Sequence, residues 1–108
     1  MPDFAEVARL DQIKSGTATV VSVAASAVAL FNVEGRLFAV DDCCVRCGSS
    51  LASGTLQGVA VACPGCNWQY DVTNGCVQGI AALCIDTFEV KIEDSRVMVA
   101  TAPACHPG

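Results

Sequence analysis

Cys63-Pro64-Gly65-Cys66-Asn67-Trp68-Gln69-Tyr70-Asp71 is the stretch that decides how this chain folds. Two cysteines two residues apart, with Pro64-Gly65 between them, make a tight turn that aims both sulfurs at one point. Beyond the turn, Trp68 and Tyr70 alternate with polar neighbours, the period of a half-buried strand. Upstream, Cys44-Val45-Arg46-Cys47 has the same internal spacing and is followed by Gly48, and fifteen residues separate the two pairs. Two pairs at this distance form the pattern of a tetrahedral thiolate site, with backbone N–H groups of the turns donating to the sulfurs. Cys44, Cys47, Cys63 and Cys66 are therefore the candidate ligands.

Other uses of these cysteines fit less well. Buried thiols that pack as small hydrophobes account for Cys76 and Cys84, which lie in apolar surroundings, but not for pairs set in Gly- and Ser-rich loops. A dithiol redox motif resembles Cys-Pro-Gly-Cys, yet such motifs open a helix in a βαβ unit, and no such helix is predicted here. Cys43 adjoins Cys44, and adjacent side chains in extended chain point apart, so Cys44 is preferred as the ligand. Cys105 reads as a free thiol in the tail.

Composition narrows the remainder. The chain has 108 residues, of which 53% are hydrophobic and 16% charged, a size and balance suited to one folded domain spanning residues 1–108 and unlike a disordered segment. Eight cysteines stand against one histidine, His106, so a site needing two imidazoles from one chain is excluded. A formal charge of −5 argues against nucleic acid and against an anionic membrane surface; the scattered acids serve plain solubility or steer the protein onto a basic partner. The longest apolar run, Ala18 to Val33, is interrupted by Thr19, Ser22, Ser26 and Asn32 and is too broken for a membrane span. Met1 to Glu6 has no secretory pattern, so a cytoplasmic location is expected, where thiols stay reduced and dense cysteines point to metal rather than disulfides.

Strand and turn signals dominate. Thr17 to Ala24 is rich in Val and Thr. Val28 to Val33 and Arg36 to Val40 flank Glu34-Gly35 as a hairpin. Gly58 to Ala62 and Asn67 to Val72 are short apolar runs on either side of the second cysteine pair. Phe88 to Ile92 alternates, and Asp94-Ser95 turns it into Arg96 to Ala100. Phe4 to Ile13 carries a weak helical spacing at Val7, Leu10 and Ile13 that Ser15-Gly16 ends. The tail from Thr101 to Gly108 is predicted to be mobile. Short strands at regular spacing indicate an antiparallel sandwich or small barrel.

Around the cysteines the chain resembles a Rieske-type ferredoxin over nearly its whole length. Phe31-Asn32-Val33-Glu34-Gly35 is similar to the hairpin that leads such proteins into their first cluster loop. Cys44 through Leu51 resembles that loop, Cys-x-His with a Gly-rich turn. Cys63 through Asp71 resembles the second, Cys-Pro-x-His-x-Trp-x-Phe-Asp, and Thr73-Asn74-Gly75 resembles the turn beyond it. The resemblance implies an all-β, Rieske-like antiparallel sandwich or barrel, with a small metal-binding subdomain of two loops at about 43–51 and 63–71. The ligands depart from the pattern. Arg46 stands where the first histidine belongs, with Cys47 beside it, and Cys66 replaces the second. Rieske centres place two cysteines on one iron and two histidines on the other, so this chain reads as a four-cysteine version of the site.

The resemblance implies a [2Fe–2S] cluster, and the knuckle-like spacing keeps one zinc or one iron ion open as alternatives. A four-thiolate [2Fe–2S] centre is expected near roughly −400 mV, and flat with pH because no ligand titrates near neutrality. Arg46 reads as a solvated arginine or as a cation offsetting thiolate charge, and Tyr70 as a donor to a ligand sulfur. The implied function is electron transfer without catalysis, between a reductase and an oxygenase or other redox partner. A zinc-stabilised structural or interaction module, or an accessory subunit of a redox enzyme, is the alternative.

Overall fold

The computed structural model describes residues 3–23 and 26–101. Its regular elements are strands and two 3₁₀ turns, arranged in three antiparallel sheets among the described residues.

The first sheet is built on β2 (Ala18–Val23), β3 (Ser26–Val33) and β4 (Arg36–Asp41). Glu34 and Gly35 both take positive φ, 51° and 91°, the backbone that a tight hairpin between right-twisted strands requires. This fixes Val33 opposite Arg36 and, five rungs along, Val28 opposite Asp41. Short β5 (Thr55–Gln57), β6 (Ala60–Ala62), β7 (Gln69–Asp71), β8 (Cys76–Val77) and β9 (Ile80–Cys84) form a second sheet in sequence order. β10 (Thr87–Phe88) then returns to the free edge of β4. The third sheet places β12 (Arg96–Ala100) between β1 (Phe4–Arg9) and β11 (Val90–Glu93).

β3 is buried on both faces, and its alternation divides the core. Ala29 and Phe31 pack with Val40, Leu51, Val61, Tyr70, Val72, Val77 and Ile85 beneath the cysteines. Val28 and Leu30 point the other way, to Ile13, Val23, Ala39, Val97 and Val99. Asn32 is the buried polar side chain of the strand, and both ends of its amide are bonded. Its amide donates to the Ile13 carbonyl at 2.7 Å and its carbonyl accepts from Gly35 N at 2.8 Å. That pair secures the hairpin on the loop before β2.

Three local expectations change. Phe4 to Ile13 is not helical: Phe4–Arg9 pairs with β12 around an irregularity between Glu6 and Ala8, and only Leu10–Gln12 coils, as a 3₁₀ turn. Ladder bonds to a buried strand outweigh three apolar residues at helical spacing. Phe88 to Ile92 is not one strand, because it changes sheets at Glu89, whose carbonyl accepts from Ala100 N at 2.9 Å. Cys76 and Cys84 are half-buried rather than core thiols and form a disulfide, since they stand opposite each other across β8 and β9. The tail beyond Thr101, with Cys105 and His106, lies outside the described residues.

Candidate metal centre

Two loops meet at one end of the molecule. The first leaves β4 and runs to the 3₁₀ turn Leu51–Ser53, and the second joins β6 to β7. The structure brings Cys44, Cys47, Cys63 and Cys66 together, with all four sulfurs within 4.8 Å of one another. Across the loops, Cys44 and Cys66 sulfurs are 3.7 Å apart and those of Cys47 and Cys63 are 3.4 Å apart. Cys44 and Cys63 are buried, Cys66 is half-buried and Cys47 reaches the surface. Cys43 stands outside the group, exposed, with its sulfur turned toward the Cys44 carbonyl.

The electrostatics favour charge on the inner sulfur. Burial raises the Cys44 thiol, but hydrogen bonds from Tyr70 and from the Cys47 and Arg46 amides outweigh it and bring the group down to about 6. Tyr70 Oη lies 3.1 Å from Cys44 Sγ and accepts from Val45 N at 3.0 Å, which leaves its hydroxyl proton for the sulfur. Burial and that same bond raise the Tyr70 phenol, so it stays a donor. Ser49, whose Oγ is 3.2 Å from Cys47 Sγ, lowers the Cys47 thiol. At Cys66 the Trp68 amide works to lower the thiol, yet burial and the other three cysteines raise it to about 11. Four thiols this close cannot all ionise without a cation among them.

Three supports rest on contacts that the sequence does not show. Asp42 ties the first loop shut: its carboxylate accepts from Ser50 Oγ at 2.6 Å and from Ala52 N at 2.9 Å. Gly65 lies against the first loop so closely that a Cβ there would meet Cys47 Sγ at 2.8 Å and Ser49 Oγ closer still. Arg46, exposed between two of the cysteines, stacks on Trp68 with its guanidinium 4.9 Å from the ring centroid, so it bridges the loops rather than projecting freely. Asp42→Ala is expected to cost about 1.5–3 kcal/mol, because hydrogen bonds to a charged acceptor are lost and the Ala52 amide is left unpaired. Urea unfolding checks the stability, and metal release to a chelator should quicken in parallel.

The model of the Rieske [2Fe-2S] domain family matches residues 3–89. This chain belongs to that family. It is 34% identical over 103 residues to the ferredoxin component of the naphthalene 1,2-dioxygenase/salicylate 5-hydroxylase systems of a Ralstonia species, covering 90% of this chain and 94% of the relative. It is likewise 34% identical over 105 residues to the ferredoxin component of the alkene monooxygenase system of Xanthobacter autotrophicus, covering 94% and 84%. Among solved structures, a chain in the complex of reduced oxygenase and oxidised ferredoxin of carbazole 1,9a-dioxygenase superposes with a TM-score of 0.87. That pair is 26% identical, with 95% and 97% of the chains covered.

The histidine-ligated form of the Rieske cluster does not fit these residues. Its second iron needs two imidazoles. Arg46 and Cys66 occupy those places, and the chain's one histidine is His106, outside the described residues. Among the described residues, the cluster of side chains that this Rieske domain offers a metal is sulfur alone.

Proposed function

We propose that this Rieske domain is an electron carrier, taking one electron from a reductase and passing it to an oxygenase, through iron held by Cys44, Cys47, Cys63 and Cys66. The observation that carries the reading is the gathering of four sulfurs within one small space on a Rieske [2Fe-2S] domain. The relatives support it, since they are ferredoxin components of dioxygenase and monooxygenase systems. Like them, the chain is a carrier and not a catalyst. A [2Fe–2S] cluster is the group that the family carries. Four thiolates hold iron in that form or singly, and they also hold zinc. Zinc would abolish the function, because it has no redox chemistry.

The residues around the site suit the task. Bound iron supplies a one-electron couple, and the protein's work is to hold the sulfurs, set their electron density and offer an edge. Tyr70 and the loop amides direct hydrogen bonds to sulfur and favour the reduced, more negative state. Cys47 and Cys66 bring the centre to the surface, where a partner's acceptor can approach. A net charge of −5 suits a basic docking face and makes association depend on salt.

Reconstitution tests the reading. Iron-loaded protein, mixed with the reductase and oxygenase of an aromatic dioxygenase system, should be reduced by one electron per chain and should restore substrate turnover. Protein that the reductase cannot reduce, or that leaves turnover at the level without ferredoxin, overturns the proposal.

A further inference from the structure

We infer that the four cysteines hold a single tetrahedral metal ion, so that the site is mononuclear on a frame whose family carries a binuclear cluster. This rests on the four-cysteine ligand set proposed above.

The first argument is spacing. A metal–thiolate bond of about 2.3 Å sets tetrahedral ligand sulfurs about 3.8 Å apart. The two cross-loop pairs at 3.7 and 3.4 Å, and the upper limit of 4.8 Å for every pair, bracket that edge. A binuclear cluster cannot use this arrangement. With two ligands on each iron, four of the six sulfur pairs span the cluster, and the longest of them exceeds about 6 Å. Here all six pairs are short. Room is lacking as well. Gly65 presses its backbone against Cys47 Sγ, where even a methyl group would stand at 2.8 Å, so the loops cannot be this close and admit two bridging sulfides.

The second argument is symmetry. A Rieske site is built from unlike loops, one for each ligand spacing. In this chain the backbone hydrogen bonds of the two loops repeat one another. The amide of the first cysteine donates five residues ahead, Cys44 N to Ser49 O at 2.9 Å and Cys63 N to Trp68 O at 2.8 Å. The residue after the second cysteine donates back to the first, Gly48 N to Cys44 O at 2.9 Å and Asn67 N to Cys63 O at 2.9 Å. That residue takes a left-handed backbone in both, with φ of 76° at Gly48 and 63° at Asn67. Ser49 and Trp68 then direct their amides at the second cysteine of their own loop. Asn67 is one of the few side chains besides glycine that take this conformation readily, so the local sequence supports the match. Two like knuckles facing each other direct four thiolates at one point, which is what one tetrahedral ion takes.

Binding is balanced simply. One divalent ion displaces the protons of those cysteines still in thiol form, and the four sulfurs become its only ligands. With iron, the ferric and ferrous states differ by the one electron that the reductase supplies and the oxygenase accepts. No inorganic sulfide is required.

The experiment is metal and acid-labile sulfide analysis of the whole chain, purified without oxygen and reconstituted separately with iron alone and with iron plus sulfide. EPR of the oxidised protein is recorded beside it. One iron per chain, no labile sulfide under either condition and a high-spin ferric signal in the oxidised state are expected. Two irons and two sulfides per chain, with an oxidised state silent in EPR, overturn the inference and leave the electron-carrier reading standing. One zinc per chain that iron does not displace has the opposite effect: the single-ion site stands and the electron-carrier reading falls. Titration with cobalt(II) reads the stoichiometry independently, with thiolate charge-transfer absorption ending at one equivalent. An end-point at two equivalents is a second way for the inference to fail.

Discussion

Gly65→Val is expected to empty the metal site by displacing Cys47, while the surrounding sheets stay in place. A Cβ at position 65 meets Cys47 Sγ at 2.8 Å, and Val adds two methyl groups to it. The second loop cannot retreat freely, because the Cys63 amide is bonded to Trp68 O at 2.8 Å and β7 follows at once. The first loop yields instead, carrying Cys47 and Ser49 outward from Cys63, and a three-sulfur remnant binds metal far more weakly. Metal content after dialysis against a moderate chelator should fall at least tenfold. Unfolding of the metal-free protein should change by only about 1–3 kcal/mol, the usual cost of overpacking. Gly48→Ala is the control. Its φ of 76° costs an alanine backbone strain, but nothing lies within 4 Å of the added methyl, so most of the metal should remain. Full metal content in Gly65→Val would mean that the two loops are not packed as described.

Tyr70→Phe should keep the metal and lower the potential. The phenol makes two bonds at once, donating to Cys44 Sγ over 3.1 Å and accepting from Val45 N over 3.0 Å. A donor to sulfur binds the reduced state more tightly because that state carries one more negative charge. If the bond strengthens by about 1 kcal/mol on reduction, its loss moves a one-electron potential down on the order of 40 mV. The ring itself is retained, so Phe31, Val61 and Val77 keep their packing. The Val45 amide loses its acceptor, at a cost of about 1 kcal/mol, tempered by solvent at that exposed residue. Protein-film voltammetry measures the shift, and an unchanged potential would reduce Tyr70 to a packing residue.

Much of this was written in the sequence wherever neighbours in space are neighbours in the chain. The β3–β4 hairpin follows from Glu34-Gly35 between alternating apolar residues, and the β11–β12 turn from Asp94-Ser95, whose φ values of 52° and 64° repeat the same turn geometry. The cysteine pairs were legible because a knuckle is a local structure. What escaped depends on distant partners. β1 became a strand because β12, nearly the whole chain away, offers it a ladder. The break at Glu89 arises because one short stretch serves two sheets. Cys76 and Cys84 meet only once the turn at Gly79 sets β8 against β9. Asp42 carries no motif of its own, and Gly65 is legible as a turn residue but not as a packing surface. Their importance comes from Ser50 and Ala52 in one case and from the facing loop in the other.

β3 gives the molecule a property apart from stability. Because its alternate residues belong to different cores, one strand serves as a party wall: Ala29 and Phe31 on the metal's side, Val28 and Leu30 on the far side. Substitutions beyond the wall can drift without disturbing the centre, while those on the near side act on it directly. A lineage could therefore exchange its histidines for sulfur on one side and inherit the other side untouched.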